Sequence, residues 1–249
     1  IAPILKDNCV SCHRNGGIGP WAMTDYNMVK GFSLMIREVL RTKRMPPWHA
    51  DPSIGHFSND RSLTSEQTRK IVHWIEAGSP RGDGDDPIAE KDISFAKWAN
   101  EPKLGPPDYV IDIPAMEIPA SGIVDYQYHL VKNDLPKDTW VGTAEILPGE
   151  PSVLHHVITS FGYLETEGRR AGRLKRQGQG GLRGYAPGIN ADPMPADTGM
   201  FLPAGTTLQF QMHYTPVGKP IVDETKMGLW VLDKPPKHRI FSMSVLNTK

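Results

Sequence analysis

Cys9-Val10-Ser11-Cys12-His13 is the stretch on which the reading of this chain turns. It uses both cysteines of the protein, and a histidine follows the second directly. With C-x-x-C-H spacing, one helical turn offers two thiols to the two vinyl groups of a haem. The next residue then offers its imidazole to the iron from one face. A zinc site would call for two more cysteines or histidines at matching spacing, and there is no second cysteine pair. A thioredoxin-like dithiol would sit in a βαβ context, whereas Arg14-Asn15-Gly16-Gly17 opens a loop. The expectation is covalent attachment of haem c through Cys9 and Cys12 with His13 as an axial ligand, and hence a redox protein.

At 249 residues the chain has room for two domains, each with its own core. Lys plus Arg and Asp plus Glu both number 28, so nothing in the net charge points to nucleic acid or an anionic membrane. The apolar runs are short and broken by charge, and none would span a bilayer. The first residue is Ile1 and no charged-then-apolar leader follows it, so a targeting segment is expected to have been removed. Covalent haem attachment is carried out outside the bacterial cytoplasm, which makes a periplasmic or exported location the expectation. The 23 prolines and 24 glycines predict many turns and little long helix.

Residues 1–86 read as a helical domain. Ala2 to Cys12 is a short helix ending in the cysteine motif, and Gly16-Gly17-Ile18-Gly19-Pro20 breaks it. Val29, Phe32, Ile36, Val39 and Leu40 form an apolar stripe of helical period, predicting a second helix from about Tyr26 to Thr42. Thr64-Ser65-Glu66-Gln67 has the form of a capping box, Ile71, Val72, Trp74 and Ile75 supply an apolar face, and Gly78 then Pro80 stop this third helix. With the motif and a closing segment Leu63 to Asp83, this resembles the small monohaem cytochromes c. The resemblance implies an all-α cytochrome c domain of three short helices around one haem. Arg44-Met45-Pro46-Pro47-Trp48 offers a thioether in an extended loop, and a Met-Pro pair often fills the far axial position in that family, which points to Met45. His49 and His56 are the rival ligands, and an open position is the remaining alternative.

Residues 87–107 change composition toward Gly, Asp and Pro and read as a surface tether, with Phe95 and Trp98 available to pin it. From 108 to 249 the pattern turns to short alternating strands between Pro/Gly turns. They are Tyr109–Pro114, Val124–Val131, Trp140–Leu147, His155–Phe161, Thr207–Tyr214, Lys226–Leu232 and Arg239–Leu246. The expectation is an antiparallel, jelly-roll-like β-sandwich, making the whole chain multidomain. Gly168 to Gly184, rich in Arg and Gly, reads as a solvated loop or a docking patch for an acidic partner.

His155, His156 and His213 carry the second chemistry. Adjacent residues of a regular strand point to opposite faces, so His155 and His156 share a metal only where a bulge, a strand end or different ring nitrogens bring them together. A histidine from another strand then completes a three-imidazole set suited to copper or zinc. Pro148 to Val157, Tyr185-Ala186-Pro187-Gly188, Leu202-Pro203-Ala204-Gly205 and Leu208 to Tyr214 together resemble the amino-terminal half of the copper type II, ascorbate-dependent monooxygenases. That family includes peptidylglycine α-hydroxylating monooxygenase and dopamine β-monooxygenase, and the resemblance covers most of residues 125–233. It implies that His155, His156 and His213 hold the electron-accepting copper. The family's oxygen-activating copper sits in a second sandwich on a His-x-His pair and a methionine, and these residues contain no such pair. Met212 faces away from His213, and His129 and His238 read as structural or surface residues.

Three functions follow as expectations. The first is the electron-transfer portion of a copper-dependent, monooxygenase-like oxidoreductase, fed by an electron-donor redox protein and partnered by a second copper-bearing sandwich. The second is a non-catalytic electron carrier whose sandwich serves docking, and the third is a copper-binding module with an attached haem.

Overall fold

The protein is described by a computed structural model covering residues 1–48, 50–51, 53–57, 60–89, 97–176, 181–187 and 193–241. It divides into two compact units, Ile1–Phe95 and Ala96–Lys249. No helix among the described residues is long and apolar enough to cross a membrane.

The described elements of the first unit are four helices: α1 (Ala2–Asn8), α2 (Tyr26–Gly31), α3 (Ser33–Arg41) and α4 (Ser65–Glu76). The capping box forms as its spacing predicts. Thr64 Oγ1 accepts from the Gln67 amide at 3.1 Å, and Gln67 Oε1 accepts from the Thr64 amide at 2.9 Å, an arrangement worth about 1 kcal/mol. Ile71 and Ile75 of α4 pack with Leu5, Val10, Met23, Val29, Ile36 and Leu40 in one apolar cluster. The helix expected over 26–42 is split in two. Phe32 leaves helical geometry (φ −95°, ψ 6°) between α2 and α3, and its ring stacks on Trp21 at 4.1 Å. Gly31 just before it is a weak helix former and makes the break inexpensive.

The expected all-α cytochrome c domain at 1–86 is a correction: no such domain is apparent. Among the described residues helices take up 19% against 28% in strands, and the five helices are short. Those of the first unit run to 7, 6, 9 and 12 residues. The described residues between α1 and α2 and between α3 and α4 are in neither helix nor strand. The physical reason lies in the glycines at 16, 17 and 19 and the prolines at 20, 46 and 47, which hold these stretches out of helix.

The second unit holds α5 (Glu101–Leu104) and eleven strands. They are β1 (Tyr109–Asp112), β2 (Met116–Ile118), β3 (Gln127–Lys132), β4 (Thr139–Leu147), β5 (Leu154–Leu164), β6 (Leu174–Arg176), β7 (Thr198–Leu202), β8 (Thr207–Tyr214), β9 (Ile221–Asp223), β10 (Lys226–Leu232) and β11 (His238–Arg239). Two sheets, β1-β10-β4-β7-β11 and β3-β8-β5-β6, stand in a sandwich-like arrangement, with a β2-β9 ribbon beside them. The described pairings are antiparallel except that of β11 with β7. The last expected strand, Arg239–Leu246, lies mostly outside the described residues, and so do His49, Phe95 and Gly188.

Strict alternation in β8 drives the core. Leu208, Phe210, Met212 and Tyr214 are buried while Gln209, Gln211 and His213 are half-buried on the other face. Facing them inside are Val141 and Ala144 of β4, Leu202 of β7 and Met227 and Leu229 of β10. Each large side chain taken fully out of water contributes about 1.5–3 kcal/mol. Part of the stretch read as a surface tether is packed into this unit. Trp98 is 4% exposed, its ring edge-on to Trp230 at 6.1 Å. The buried Glu145 carboxylate accepts from the amides of Ala99 and Asn100 and from Asn100 Nδ2.

Candidate metal centre

His213 stands on the half-buried face of β8 because its neighbours Met212 and Tyr214 take the core face. Met212, 0% exposed, is turned away from it, as alternation requires. On β5 the alternation is interrupted. Leu154 pairs with Tyr214 and His156 with His213, so β5 has one residue more than β8 across this step, and that residue is His155. Two residues opposing one is a β-bulge, and it turns both histidines toward the same side. On its other edge β5 is held by a bridge in which Val157 and Tyr185 exchange backbone hydrogen bonds of 3.0 and 2.9 Å.

The three rings converge. Their centroids lie 5.5 Å apart for His155 and His156, 4.9 Å for His155 and His213, and 5.0 Å for His156 and His213. One nitrogen from each ring falls within 4.8 Å of the others, and the two Nδ1 atoms of His155 and His156 are 3.2 Å apart. Nitrogens bound at about 2.0–2.1 Å to one ion stand roughly 3.3–3.6 Å from each other, so small ring rotations bring the set to ligand geometry. Two further observations fit a metal. Nδ1 of His213 is buried without a hydrogen-bond partner, an arrangement that costs about 1–3 kcal/mol unless something accepts its lone pair. His156 is held below the usual histidine range by burial and then by His213 and His155, against the pull of Gln211, so it is neutral and able to ligate at neutral pH. Three imidazoles without a carboxylate suit copper or zinc.

Sequence reasoning missed the groups around this set. The Tyr126 ring lies 4.8 Å from His213 and 5.7 Å from His156, while Gln211, which faces His156, donates from Nε2 to the Tyr128 hydroxyl at 2.7 Å. The only sequence signal for them is the alternation of Tyr126 and Tyr128 leading into β3. His129 and His238 stand apart from the set, half-buried on β3 and exposed on β11. No family model matches the chain, and no curated protein matches it.

In the first unit, α1 ends at Cys9 and its last turn continues through the motif. The His13 amide donates to the Cys9 carbonyl at 2.9 Å, placing the two residues one turn apart. His13 Nδ1 lies 3.0 Å from the Trp21 carbonyl oxygen. That oxygen can only accept, so Nδ1 carries the proton and Nε2 keeps its lone pair for a metal. The ring is boxed in, because a Cβ on Gly19 would fall 2.7 Å from His13 Nδ1. Burial, with Cys12 adding, pushes the Cys9 thiol up to about 11. In the metal-free chain such a thiol stays protonated at neutral pH. Met23 is core, 5% exposed, its amide donating to the His13 carbonyl at 2.8 Å. Met45, 39% exposed, follows α3, and His56 is exposed.

Proposed function

We propose that this chain is the electron-transfer portion of a copper-dependent, monooxygenase-like oxidoreductase. His155, His156 and His213 hold copper, and Cys9, Cys12 and His13 hold haem c with Met45 as the second axial ligand. The observation that carries the reading is the convergence of three imidazoles, two of them brought to one face by a β-bulge. Copper in such a set takes up and gives back single electrons, and a thioether-bound haem does the same. The residues do the rest. The bulge brings His155 and His156 to one face, and His213 closes the set from β8. In the first unit the Trp21 carbonyl fixes the His13 tautomer, and Cys9 and Cys12 would hold a haem through thioether bonds to its vinyl groups. An electron-donor redox protein, a second copper-bearing sandwich and a periplasmic or exported setting belong to the same proposal.

Metal analysis after maturation in a host that attaches haem tests it. One iron and one copper per chain, with electron paramagnetic resonance showing three coupled imidazole nitrogens on copper, are expected. Iron without copper would leave an electron carrier whose sandwich serves docking. Copper without covalent haem would remove the reading of Cys9, Cys12 and His13.

A further inference from the structure

Asp223, at the end of β9, is 1% exposed and belongs to none of the ion pairs among the described residues. A buried carboxylate without a cation is costly and persists only where neutral donors hold it. Three do. The Tyr214 hydroxyl donates to Oδ2 at 2.9 Å, the Thr225 hydroxyl to the same oxygen at 2.7 Å, and the Glu150 amide to Oδ1 at 2.8 Å. Thr225 Oγ1 also accepts from the Gly149 amide at 3.3 Å. Backbone packing here is close enough that a Cβ on Gly149 would meet the Glu224 amide nitrogen at 2.4 Å.

The places these donors occupy give the carboxylate its meaning. Tyr214 follows His213 in β8, and its strand partner is Leu154, the residue just before the bulge. Gly149 and Glu150 form the turn that feeds β5. One carboxylate therefore ties together the end of β8 beside His213 and the entry of β5 beside His155. Those two points fix the register across which His155 is the extra residue. A strand that slips by one residue exchanges its faces. A slip in β5 would turn one histidine of the adjacent pair away from His213.

Resting on the copper reading above, we propose that Asp223 is the positioning group of the three-histidine centre, acting through Tyr214 and the Glu150 amide to hold the bulge in register. It touches no metal ligand side chain itself. The test uses the full chain with copper as the probe, measuring copper affinity, the number of coupled imidazole nitrogens by pulsed electron paramagnetic resonance, and fold by circular dichroism. Outer groups that orient metal ligands typically change affinity by ~10–100-fold when removed. D223A is expected at the upper end of that range, with two coupled nitrogens in place of three at saturating copper. Y214F, which removes one hydroxyl and leaves the ring, is expected at the lower end. D223N keeps one acceptor oxygen but sets an NH2 group against either the Glu150 amide or the Tyr214 and Thr225 hydroxyls, so an affinity between those of D223A and wild type is expected. Wild-type protein without a three-imidazole copper signal would remove the copper reading itself. A wild-type signal with folded D223A and Y214F matching it in affinity and nitrogen count would overturn the role of Asp223 alone. If D223A does not fold, Y214F decides, and wild-type behaviour in it overturns the proposal.

Discussion

If copper is held by His155, His156 and His213 as proposed, it favours the folded sandwich over the unfolded chain and should raise thermal stability by mass action. At free copper one hundred times the dissociation constant the gain is about 2.7 kcal/mol. The second unit, Ala96–Lys249, falls in the size range where 1 kcal/mol moves Tm by about 2–4 °C, so copper should raise its Tm by about 5–11 °C. His213→Ala removes one of the three ligands. Losing an outer partner already costs ~10–100-fold in affinity, so losing a ligand costs at least the upper figure. At the same copper concentration the gain then falls to about 0.4 kcal/mol, a shift of about 1–2 °C. Metal-free stability should hardly change. The substitution also removes the buried, unpartnered Nδ1, and this offsets the ring packing against Tyr126 that goes with the imidazole. Differential scanning calorimetry of wild type and variant, with and without copper, reads both numbers. A His213→Ala protein that keeps the full copper-induced shift would refute the three-imidazole site.

Deleting His155 should leave the sandwich folded and cut the coupled nitrogens on copper to two, read by circular dichroism and pulsed resonance. In the metal-free protein, His156 sits below its ordinary value of 6.5, chiefly through burial. Just below that pH the unfolded chain takes up a proton that the native chain refuses, so stability falls as pH drops through this window. Urea midpoints at stepped pH should show the decline, and His156→Ala should flatten it. Glu145→Ala takes the acceptor from the amide of exposed Ala99 and from two donors of buried Asn100. Each buried donor left unpaired costs about 1–3 kcal/mol, so a loss of about 2 kcal/mol or more is expected in urea unfolding followed by tryptophan fluorescence. Met45→Ala should turn a low-spin ferric haem into one that binds added imidazole, and an unchanged spectrum would return the role to His49 or His56.

The sequence was most legible where burial on one face dictates alternation. Thr207–Tyr214 and Lys226–Leu232 form strands at the residues their patterns predict, because β8 and β10 each supply a run of core residues. β2, β6, β7 and β9, of three to five residues, escaped, since so few positions carry little readable period. In the first unit the capping box was readable because two side chains three apart close on local backbone, whereas the break at Phe32 depends on Trp21, a partner the local pattern does not contain. The overestimate of helical architecture has the same origin, since the periodicity of Tyr26 to Thr42 said nothing of the irregular backbone on either side. Of the metal centre, the histidines were legible as a residue set and the need for a bulge as a geometric condition. Tyr126, Gln211 and Asp223 were not, because each reaches the centre through strand neighbours distant in sequence.

The bulge itself shows how fold and site are bound to one constraint. Leu154 is 0% exposed and Val157 1%, so the core claims two residues of β5 that are three apart, where a regular strand would offer residues two apart. Across from them, Tyr214 and Met212 are two apart with His213 between. Pulling β5 into regular register with His155 present would expose one of the two apolar side chains, at about 1.5–3 kcal/mol. The extra residue is thus forced outward by burial on the opposite face, with no metal required to put it there. Removing it would restore regular spacing and keep both apolar residues inside, so packing alone is satisfied equally well by a strand one residue shorter. What the longer strand adds is a second imidazole on the face of His213, a reason that lies with the proposed metal site and not with the core.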